Sequence, residues 1–522
     1  MHSTIPIHNR VSPLAFLLLV LTLLQGSSFS LSLAFRGPLA SEAAISLITF
    51  LWLAMYALAA IGLFVSFGVN WITWLVRYRL LLTCLLTGTV FSVAWSVDTA
   101  LSLERSTHLI GTTILALYLG FSLPLTYMLR TSAVVLGFIM IASVIVALLV
   151  PDLGLQEYEG TLAWAGVLAS KNTLGFWAAI TFLLCTSLSV WNLPGSQRLF
   201  HLAVAAVSLL CLYNSLSATS LLALISGGLI ILYLHTAFNL RLSMLAMVFL
   251  GGLVVSLVGL AFYFIDTAEL IGRSGDLTGR GEVWAQTWQL ILERPLTGYG
   301  YGTLWYPTPE SLWIQKALTD FTWTVYHAHN GFLQIASEIG LPLTVLAFIM
   351  IVQQLIEIIY CQYQRQQPGV LFVMGFTVAL LISNYSEARL LGNRDLYWIF
   401  FIALPVSMLR QISVKSLHIR HSPGTANSAF KIKAKHIQTQ ERKAYKQNLK
   451  ERLKQNNVLK IINPVQTDSA VDNIKHVDKD HENSVQPSDD HNEPTEQQAR
   501  QQLEHPIAKS GKLSDLTKDQ RN

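Results

Sequence analysis

The stretch DFTWTVYHAHNGFLQIASEIG, residues 320–340, joins the longest polar gap in the chain to a long apolar run at 341–361. Its second half has a helical pattern: polar side chains fall at offsets of zero, four, seven and eight from Asn330, and the other face is apolar. Gly340 and Pro342 then break the pattern. The spacing predicts a short interfacial helix, beside two histidines, that leads into a membrane span.

The composition extends the membrane assignment to most of the chain. Of 522 residues, 52% are hydrophobic and 13% are charged, and about half of the Lys and Arg lie after position 412. Apolar runs long enough to cross the bilayer recur, so we predict an all-α polytopic membrane protein with about 12 transmembrane helices. The predicted spans are 13–34, 43–66, 78–95, 108–128, 132–150, 172–191, 199–215, 219–238, 244–265, 341–361, 369–385 and 396–412.

The charges of the short loops predict the orientation. Basic residues such as Arg10, Arg77 and Arg130 fall on one side, whereas the opposite loops carry acidic residues such as Asp98 and Glu157. Because basic loops stay in the cytoplasm, both termini are expected inside. The large loop between spans 9 and 10 is then expected outside the membrane.

The chain divides into two predicted parts. Residues 1–412 form the membrane domain, in which 266–340 is the outer loop with its interfacial helix. Residues 413–522 are polar and lack apolar periodicity, which predicts a cytoplasmic, largely disordered tail. The basic part of this tail is expected to lie against anionic membrane lipid, and no nucleic-acid partner is expected.

The outer loop combines cations with aromatic side chains. Arginine suits phosphate oxygens, and aromatic faces stack on sugars, so the combination favours a lipid-linked sugar phosphate as ligand. An aromatic belt with scattered basic residues is the alternative. The candidate substrate contacts here are Arg273, Arg280, Trp284, Tyr299 and Tyr301, with Asn330 and Glu338 on the interfacial helix.

Polar residues also collect at the predicted outer ends of other spans. They are Lys171 and Asn172 in ASKNTLG, the serines of NSLSATS, and Glu387, Arg389 and Arg394 before the last span. Ionisable residues at membrane edges often mark substrate paths, although Lys and Arg also snorkel there. Their convergence on the side of His327 and His329 indicates a site, for which Lys171 and Arg394 are further candidates.

Several motifs are absent from the sequence. It has no GxxxxGK[ST] P-loop, no HExxH and no DxD motif, so neither ATP-driven work nor a metal or other cofactor is predicted. A transporter or flippase is the competing class. Transporters place ionisable residues near the bilayer midplane and often show two related halves, and neither feature is evident here.

Five stretches occur in an order that resembles the O-antigen ligase and polymerase superfamily, most closely its exopolysaccharide-polymerase branch. They are FSVAWSVDTALSLERS (91–106), ASKNTLG (169–175), SLSATSLLAL (215–224), TGRGEVWAQTWQLILERPLTGYGYGTLW (278–305) and HAHNGFLQIASEIGLPL (327–343). The resemblance covers roughly residues 40–412.

The resemblance implies a metal-independent inverting glycosyltransferase of the bacterial inner membrane that makes exopolysaccharide or capsule. The donor would be an undecaprenyl-diphosphate-linked oligosaccharide and the acceptor a sugar hydroxyl at the periplasmic face. His329 matches the functional histidine of the family, with general base as its expected catalytic role. Arg280 matches the family's arginine before the tryptophan of the long loop, and its expected catalytic role is to stabilise the charge that develops on the diphosphate. The serine-rich turn lacks the arginine of many ligases, which leaves Lys171 as a supplementary phosphate contact.

The acceptor and the partners are left open by the sequence. A ligase that moves finished glycan to lipid A-core or to protein is the alternative within the class. A flippase and a chain-length regulator are the partners that the resemblance implies.

Overall fold

The computed structural model describes residues 11–29, 42–158, 160–190, 194–240, 246, 250–254, 256–257, 259, 280–306, 325–365 and 368–421. In these ranges the chain is mostly helical. The helices longer than four residues are α1 (Pro13–Gly26), α2 (Glu42–Phe67), α3 (Asn70–Tyr78), α4 (Leu80–Phe91), α5 (Thr99–Ser122), α6 (Leu125–Leu149), α7 (Lys171–Ser189), α8 (Gly195–Asn214), α9 (Ala218–Asn239), α10 (Arg280–Glu293), α11 (Gly331–Arg365), α12 (Pro368–Ser386) and α13 (Leu396–His421). The strands are β1 (Leu155–Tyr158) and β2 (Thr161–Trp164).

Length and composition mark many of the described helices as membrane spans. Seven are long and apolar enough to cross a bilayer, and the number is eight if the bent pair α3–α4 counts as one span. These helices agree with an all-α polytopic membrane protein. The count of about 12 spans stays a prediction, because most of the predicted ninth span, 244–265, lies outside the described residues.

The predicted span at 78–95 corresponds to α4 and the 3₁₀ turn Ser92–Trp95, but the bend before it was not predicted. Helices α3 and α4 meet at an angle of 98°, and Arg79 at their junction has φ −133° and ψ 40°. The Arg79 side chain is buried, and its Nη1 lies 2.7 Å from Glu357 Oε2 on α11. The apolar periodicity of the sequence does not reveal that Arg79 is buried and pairs with Glu357, which lies far along the chain.

The next two predicted spans, 108–128 and 132–150, begin too late, because α5 begins at Thr99 and α6 at Leu125. Asp98 caps α5, since its Oδ1 accepts a hydrogen bond from the Leu101 N–H at 2.9 Å. The first turns of α5 are polar, so hydropathy alone placed the helix start too late.

Helix α11 breaks at Gly340, as the sequence predicts. Gly340 has φ 83° and ψ 165°, so residues 331–339 form a helix distinct from the span that follows. The ERPLTGYGYG loop packs at this break. The N–H groups of Tyr299 and Gly300 donate to the carbonyls of Ser337 and Glu338 at 3.0 and 2.8 Å. Carbonyls that the helix end leaves without intrahelical partners are thus satisfied by the loop.

A β-hairpin that the sequence did not predict lies before α7. Its strands pair antiparallel, with Leu155 opposite Trp164. The side chain of Gln156 in β1 accepts a hydrogen bond from the backbone N–H of Lys171 at 3.0 Å. The hairpin therefore supports the first turn of α7.

Helix α13 continues to His421, past the predicted end of the membrane domain at 412. Residues 422–522, on which most of the tail prediction falls, lie outside the described residues.

An aromatic cluster joins α7 to α13. The rings of Trp177 and Tyr397 stack with centroids 4.8 Å apart and an interplanar angle of 18°. Phe176 packs edge-on against Tyr397 at 4.8 Å. Because all three side chains are buried, this contact fixes the starts of both helices relative to one another.

Candidate functional site

Polar side chains from three parts of the chain meet at one end of the helices. Asn172 Nδ2 donates to Glu387 Oε1 at 2.9 Å, and Glu387 Oε2 lies 3.8 Å from His327 Nε2. The rings of His327 and His329 have centroids 4.0 Å apart. We call Lys171, Asn172, His327, His329 and Glu387 the histidine–carboxylate cluster.

A close approach between Gly331 and Asn384 holds the histidines beside the end of α12. A Cβ atom at Gly331 would collide with Asn384 Oδ1. The same oxygen accepts hydrogen bonds from the N–H groups of Arg389 and Leu390 at 2.9 and 3.0 Å. Only glycine fits at position 331, so the glycine of the HNG sequence has a packing role.

The backbone at His329 adopts the left-handed conformation, with φ 51°. Such a conformation is uncommon for a residue other than glycine and is found at functional sites. The turn also directs the His329 N–H to His327 Nδ1 at 3.2 Å. Asn330 then caps α11, since its Oδ1 accepts from the N–H groups of Phe332 and Leu333 at 3.0 and 3.1 Å. Asn330, predicted as a substrate contact, thus has a structural role.

Lys171 is the first residue of α7 and is buried. Its Nζ lies 3.3 Å from the ring centroid of Tyr158 and donates to the Leu216 carbonyl at 3.3 Å. An ammonium group over an aromatic face is attracted by the negative face of the ring. The serine-rich turn packs on the same helix start, where Ser220 Oγ donates to the Asn172 carbonyl at 3.4 Å.

Tyr299 and Tyr301 are buried anchors of the ERPLTGYGYG loop. The Tyr299 hydroxyl donates to Glu293 Oε2 at 2.6 Å, and the Tyr301 hydroxyl donates to the Leu391 carbonyl at 2.5 Å. Burial raises the pKa of both phenols, so both hydroxyls stay protonated and act as donors. With 1% and 4% of their surface exposed, these rings do not fit the predicted stacking on sugars.

Two other candidates also make internal contacts. Trp284 packs edge-on against Tyr385, two residues before Glu387, with ring centroids 5.5 Å apart. Glu338 is buried, and its Oε1 accepts from Gln334 Nε2 at 3.0 Å. Trp284 therefore lies near the cluster, whereas Glu338 faces the interior at the break in α11.

Arg394 lies in a different environment from Lys171. Its Nη2 pairs with Glu104 Oε1 at 3.0 Å, and its Nη1 donates to Thr49 Oγ1 at 3.1 Å. These contacts tie α2 and α5 to the segment before α13. The structure thus engages Arg394 in packing and does not bring it into the histidine–carboxylate cluster.

The two arginines of the outer loop remain predictions. Arg280 begins α10, but its side chain lies outside what the structure describes, and Arg273 lies wholly outside it.

Sequence reasoning noted Glu387, Asn172 and His327 as polar residues but assigned them no role. The signal that could have singled out Glu387 is its place directly after an apolar span, in a chain with few acidic residues there. Another acid of this segment, Asp395, accepts a hydrogen bond from the Tyr397 N–H at 2.9 Å, and burial raises the pKa of its carboxyl to about 7.

The cluster can exchange protons, and its donor atoms could also surround a cation. Ligating atoms of His327, His329 and Glu387 all lie within 4.8 Å of one another. Two imidazoles and one carboxylate are a donor set found in zinc enzymes. The expectation that no metal takes part therefore stays a prediction.

The helices and the cluster define a multi-pass membrane protein with ionisable groups gathered at helix ends. Residues 202–348 match the family model described as O-antigen ligase. The exopolysaccharide production protein ExoQ of Rhizobium meliloti (strain 1021) is 26% identical over 320 residues, which cover 58% of this chain and 70% of that relative. Both matches confirm that the chain resembles the O-antigen ligase and polymerase superfamily and is close to exopolysaccharide production proteins. The two matches support a glycan-transfer function of the ligase and polymerase type.

Proposed function

We propose that this protein polymerises a polysaccharide by inverting transfer of glycan from an undecaprenyl-diphosphate-linked donor to a sugar hydroxyl. The histidine–carboxylate cluster is the observation that carries the proposal, because it gathers a proton acceptor and a cation at one end of apolar helices. The printed name of the relative, exopolysaccharide production protein, favours a polymer as product.

In the proposed step, the acceptor oxygen attacks the anomeric carbon of the donor sugar. A new carbon–oxygen bond forms, the bond from that carbon to the diphosphate breaks, and the diphosphate leaves with the electron pair. His329 takes the proton of the acceptor hydroxyl as general base. A neutral imidazole suits this role near neutral pH.

Lys171 would stabilise the negative charge that develops on the leaving diphosphate. A buried cation at the start of a helix is suited to stabilising phosphate oxygens. Arg280 and Arg273 are the further proposed contacts. No metal ion or other cofactor takes part in this scheme.

The charge pattern of the loops supports the membrane orientation that we propose. With basic loops in the cytoplasm, the cluster faces the periplasm and both termini lie inside. The polyprenyl tail of the donor then stays in lipid beside the helices. A flippase would supply the donor, and a chain-length regulator would set the length of the product.

A ligase is the second candidate, favoured by the description of the matched family model. It would use the same donor and the same cluster but move finished glycan to lipid A-core or to a protein. A transporter is less compatible with a cluster at helix ends, since transport sites lie near the bilayer midplane.

The test uses purified full-length protein in lipid with the native undecaprenyl-diphosphate repeat unit, without added metal or nucleotide. Products are resolved by size on a gel. We expect a ladder from the wild type and a loss of about a hundredfold or more in rate for His329→Ala. His235→Ala is the matched control, because His235 lies on α9 far from the cluster and its side chain is exposed.

The outcomes separate the candidates. Transfer of one glycan to an added lipid or protein acceptor, without a ladder, would support the ligase. A ladder from His329→Ala equal to that of the wild type would remove the general-base role. Arg280→Ala tests the proposed diphosphate contact in the same assay.

A further inference from the structure

We propose that Glu387 is the counter-charge of the histidine pair. It would stabilise the positive charge that appears when the pair takes the proton of the acceptor hydroxyl, and so act as a positioning residue through the imidazoles. The inference rests on the proposed function for its kinetic consequence.

The hydrogen bonds of His327 define which ring nitrogen carries the proton. Its Nδ1 accepts a hydrogen bond from the backbone N–H of His329 at 3.2 Å. An amide N–H can only donate, so Nδ1 of the neutral ring carries no proton and Nε2 carries it. That Nε2–H lies 3.8 Å from Glu387 Oε2.

The carboxylate of Glu387 is held in a fixed position. Glu387 is 8% exposed, and its Oε1 accepts from Asn172 Nδ2 at 2.9 Å. Withdrawing a carboxylate from water is costly unless the group is paired and hydrogen-bonded. The amide of Asn172 holds one oxygen and leaves the other directed at His327. A positive charge in the histidine pair would therefore be stabilised by a carboxylate that needs no rearrangement.

Two cations also lie at this end of the helices. Lys171 directs its ammonium to the Tyr158 ring, and the Arg389 guanidinium lies 4.4 Å from the Tyr397 ring centroid. Arg389 also interacts electrostatically with Glu387. Both cations disfavour a positive charge nearby, so the carboxylate must offset them for the histidines to accept a proton.

The same hydrogen bond distinguishes this role from metal binding. A histidine that binds a metal through one nitrogen usually donates a hydrogen bond from the other. In His327 the nitrogen remote from Glu387 instead accepts. This geometry favours a proton-handling pair over a metal centre.

Protons and electrons balance in the proposed step. The acceptor hydroxyl loses its proton to His329, whose ring centroid is 4.0 Å from that of His327. Glu387 remains ionised throughout and forms no covalent bond. The diphosphate takes the electron pair of the broken bond, as in the proposed transfer.

The kinetic test measures the transfer rate against pH for the wild type, Glu387→Gln and Glu387→Asp. Without the carboxylate the histidines protonate less readily. We expect Glu387→Gln to lower the rate about tenfold and to move the acidic limb of the profile to lower pH by about one unit. Glu387→Asp keeps the charge and should keep the position of the limb. Glu157→Gln, an exposed carboxylate of β1, is the control and should match the wild type.

A second readout needs no activity. Diethyl pyrocarbonate modifies neutral imidazole, so the extent of modification of His327 against pH, read by mass spectrometry, reports its protonation. We expect the midpoint to move to lower pH in Glu387→Gln. If the wild type transfers no glycan, the proposed function fails, and the modification curve still decides the role of Glu387.

Two results would overturn the inference. One is a Glu387→Gln protein whose acidic limb and modification curve both coincide with those of the wild type. The other is wild-type activity that a chelator abolishes and Zn²⁺ restores, together with a Glu387→Gln variant whose activity Zn²⁺ does not restore. The cluster would then be a metal centre.

Discussion

Lys171 and Arg394 are both cations at helix starts, but the structure surrounds them differently. Arg394 pairs with Glu104 at 3.0 Å and bonds Thr49, and so joins α2 and α5 to the start of α13. Lys171 lies on the Tyr158 ring, next to Asn172 and the carboxylate–histidine contacts. A cation that forms an ion pair with a carboxylate, such as Arg394, holds helices together. A cation that lies beside a proton acceptor, such as Lys171, can take part in glycan transfer. Charge at a membrane edge therefore does not by itself define a site.

The largest effect is expected from displacing the histidines. Gly331→Ala would place a Cβ against Asn384 Oδ1 and push the His327–His329 segment away from Glu387. A misplacement of about 1 Å can reduce a rate about a hundredfold, so we expect a loss of that order. The measurement is the transfer rate in lipid. Gly195→Ala is the control, because a Cβ there meets nothing within 4 Å. Equal rates for both variants would contradict the proposed close contact.

The next test compares the two cations directly. Lys171→Met should raise the donor concentration needed for half-maximal rate about tenfold, since a charged contact to phosphate is lost. Arg394→Met should leave that concentration unchanged and lower the thermal midpoint, because Glu104 loses its partner. The measurements are donor titrations and thermal unfolding in detergent. The opposite pattern would place the diphosphate at Arg394.

A smaller effect is expected at Tyr301, in the buried ERPLTGYGYG loop. Tyr301→Phe removes the hydrogen bond to the Leu391 carbonyl and leaves that buried acceptor unsatisfied. The expected cost is about 1–2 kcal/mol of stability, with little change in rate. Thermal unfolding compared with the transfer rate checks this. A large loss of rate at unchanged stability would instead support the predicted role of Tyr301 in binding sugar.

The smallest effect is a pH dependence at Asp395. Burial raises the pKa of this carboxyl to about 7, so the folded state favours the protonated form. The stabilisation is complete below the unfolded value of about 3.9 and is lost as pH rises to about 7. Solvent contact and Arg389 moderate it, so we expect about 1 kcal/mol. The wild-type thermal midpoint should fall between pH 5 and 7.5, whereas that of Asp395→Asn should not. Parallel curves would contradict the raised pKa.

Local patterns predicted the interfacial helix and its break well. The helix begins after Asn330 and ends at Gly340, because a capping side chain and a glycine act through their nearest neighbours. By contrast, the bend at Arg79 depends on Glu357, 278 positions along the chain, and its side-chain pairing cannot be read from periodicity. The β-hairpin was missed for a similar reason, since its support of Lys171 is a tertiary contact.

The candidate site was predicted in part for the same physical reason. Residue chemistry and the family resemblance together pointed to His329 and Lys171, and the structure places both at one end of the helices. The sequence could not show that the hydroxyls of Tyr299 and Tyr301 are used inside the protein, or that Glu387 faces His327. Those facts depend on which side chains meet after folding.

The central claim is that the lipid-linked diphosphate binds at the histidine–carboxylate cluster, and a photocrosslink tests it most directly. A polyprenyl-diphosphate analogue with a photoreactive group near the diphosphate would be irradiated with the protein in lipid, and labelled peptides mapped by mass spectrometry. We predict label on the segments at 169–175, 327–331 and 384–389, and its loss when unlabelled donor competes. Label concentrated at Thr49, Glu104 or Arg394, displaced by the same competitor, would contradict the account.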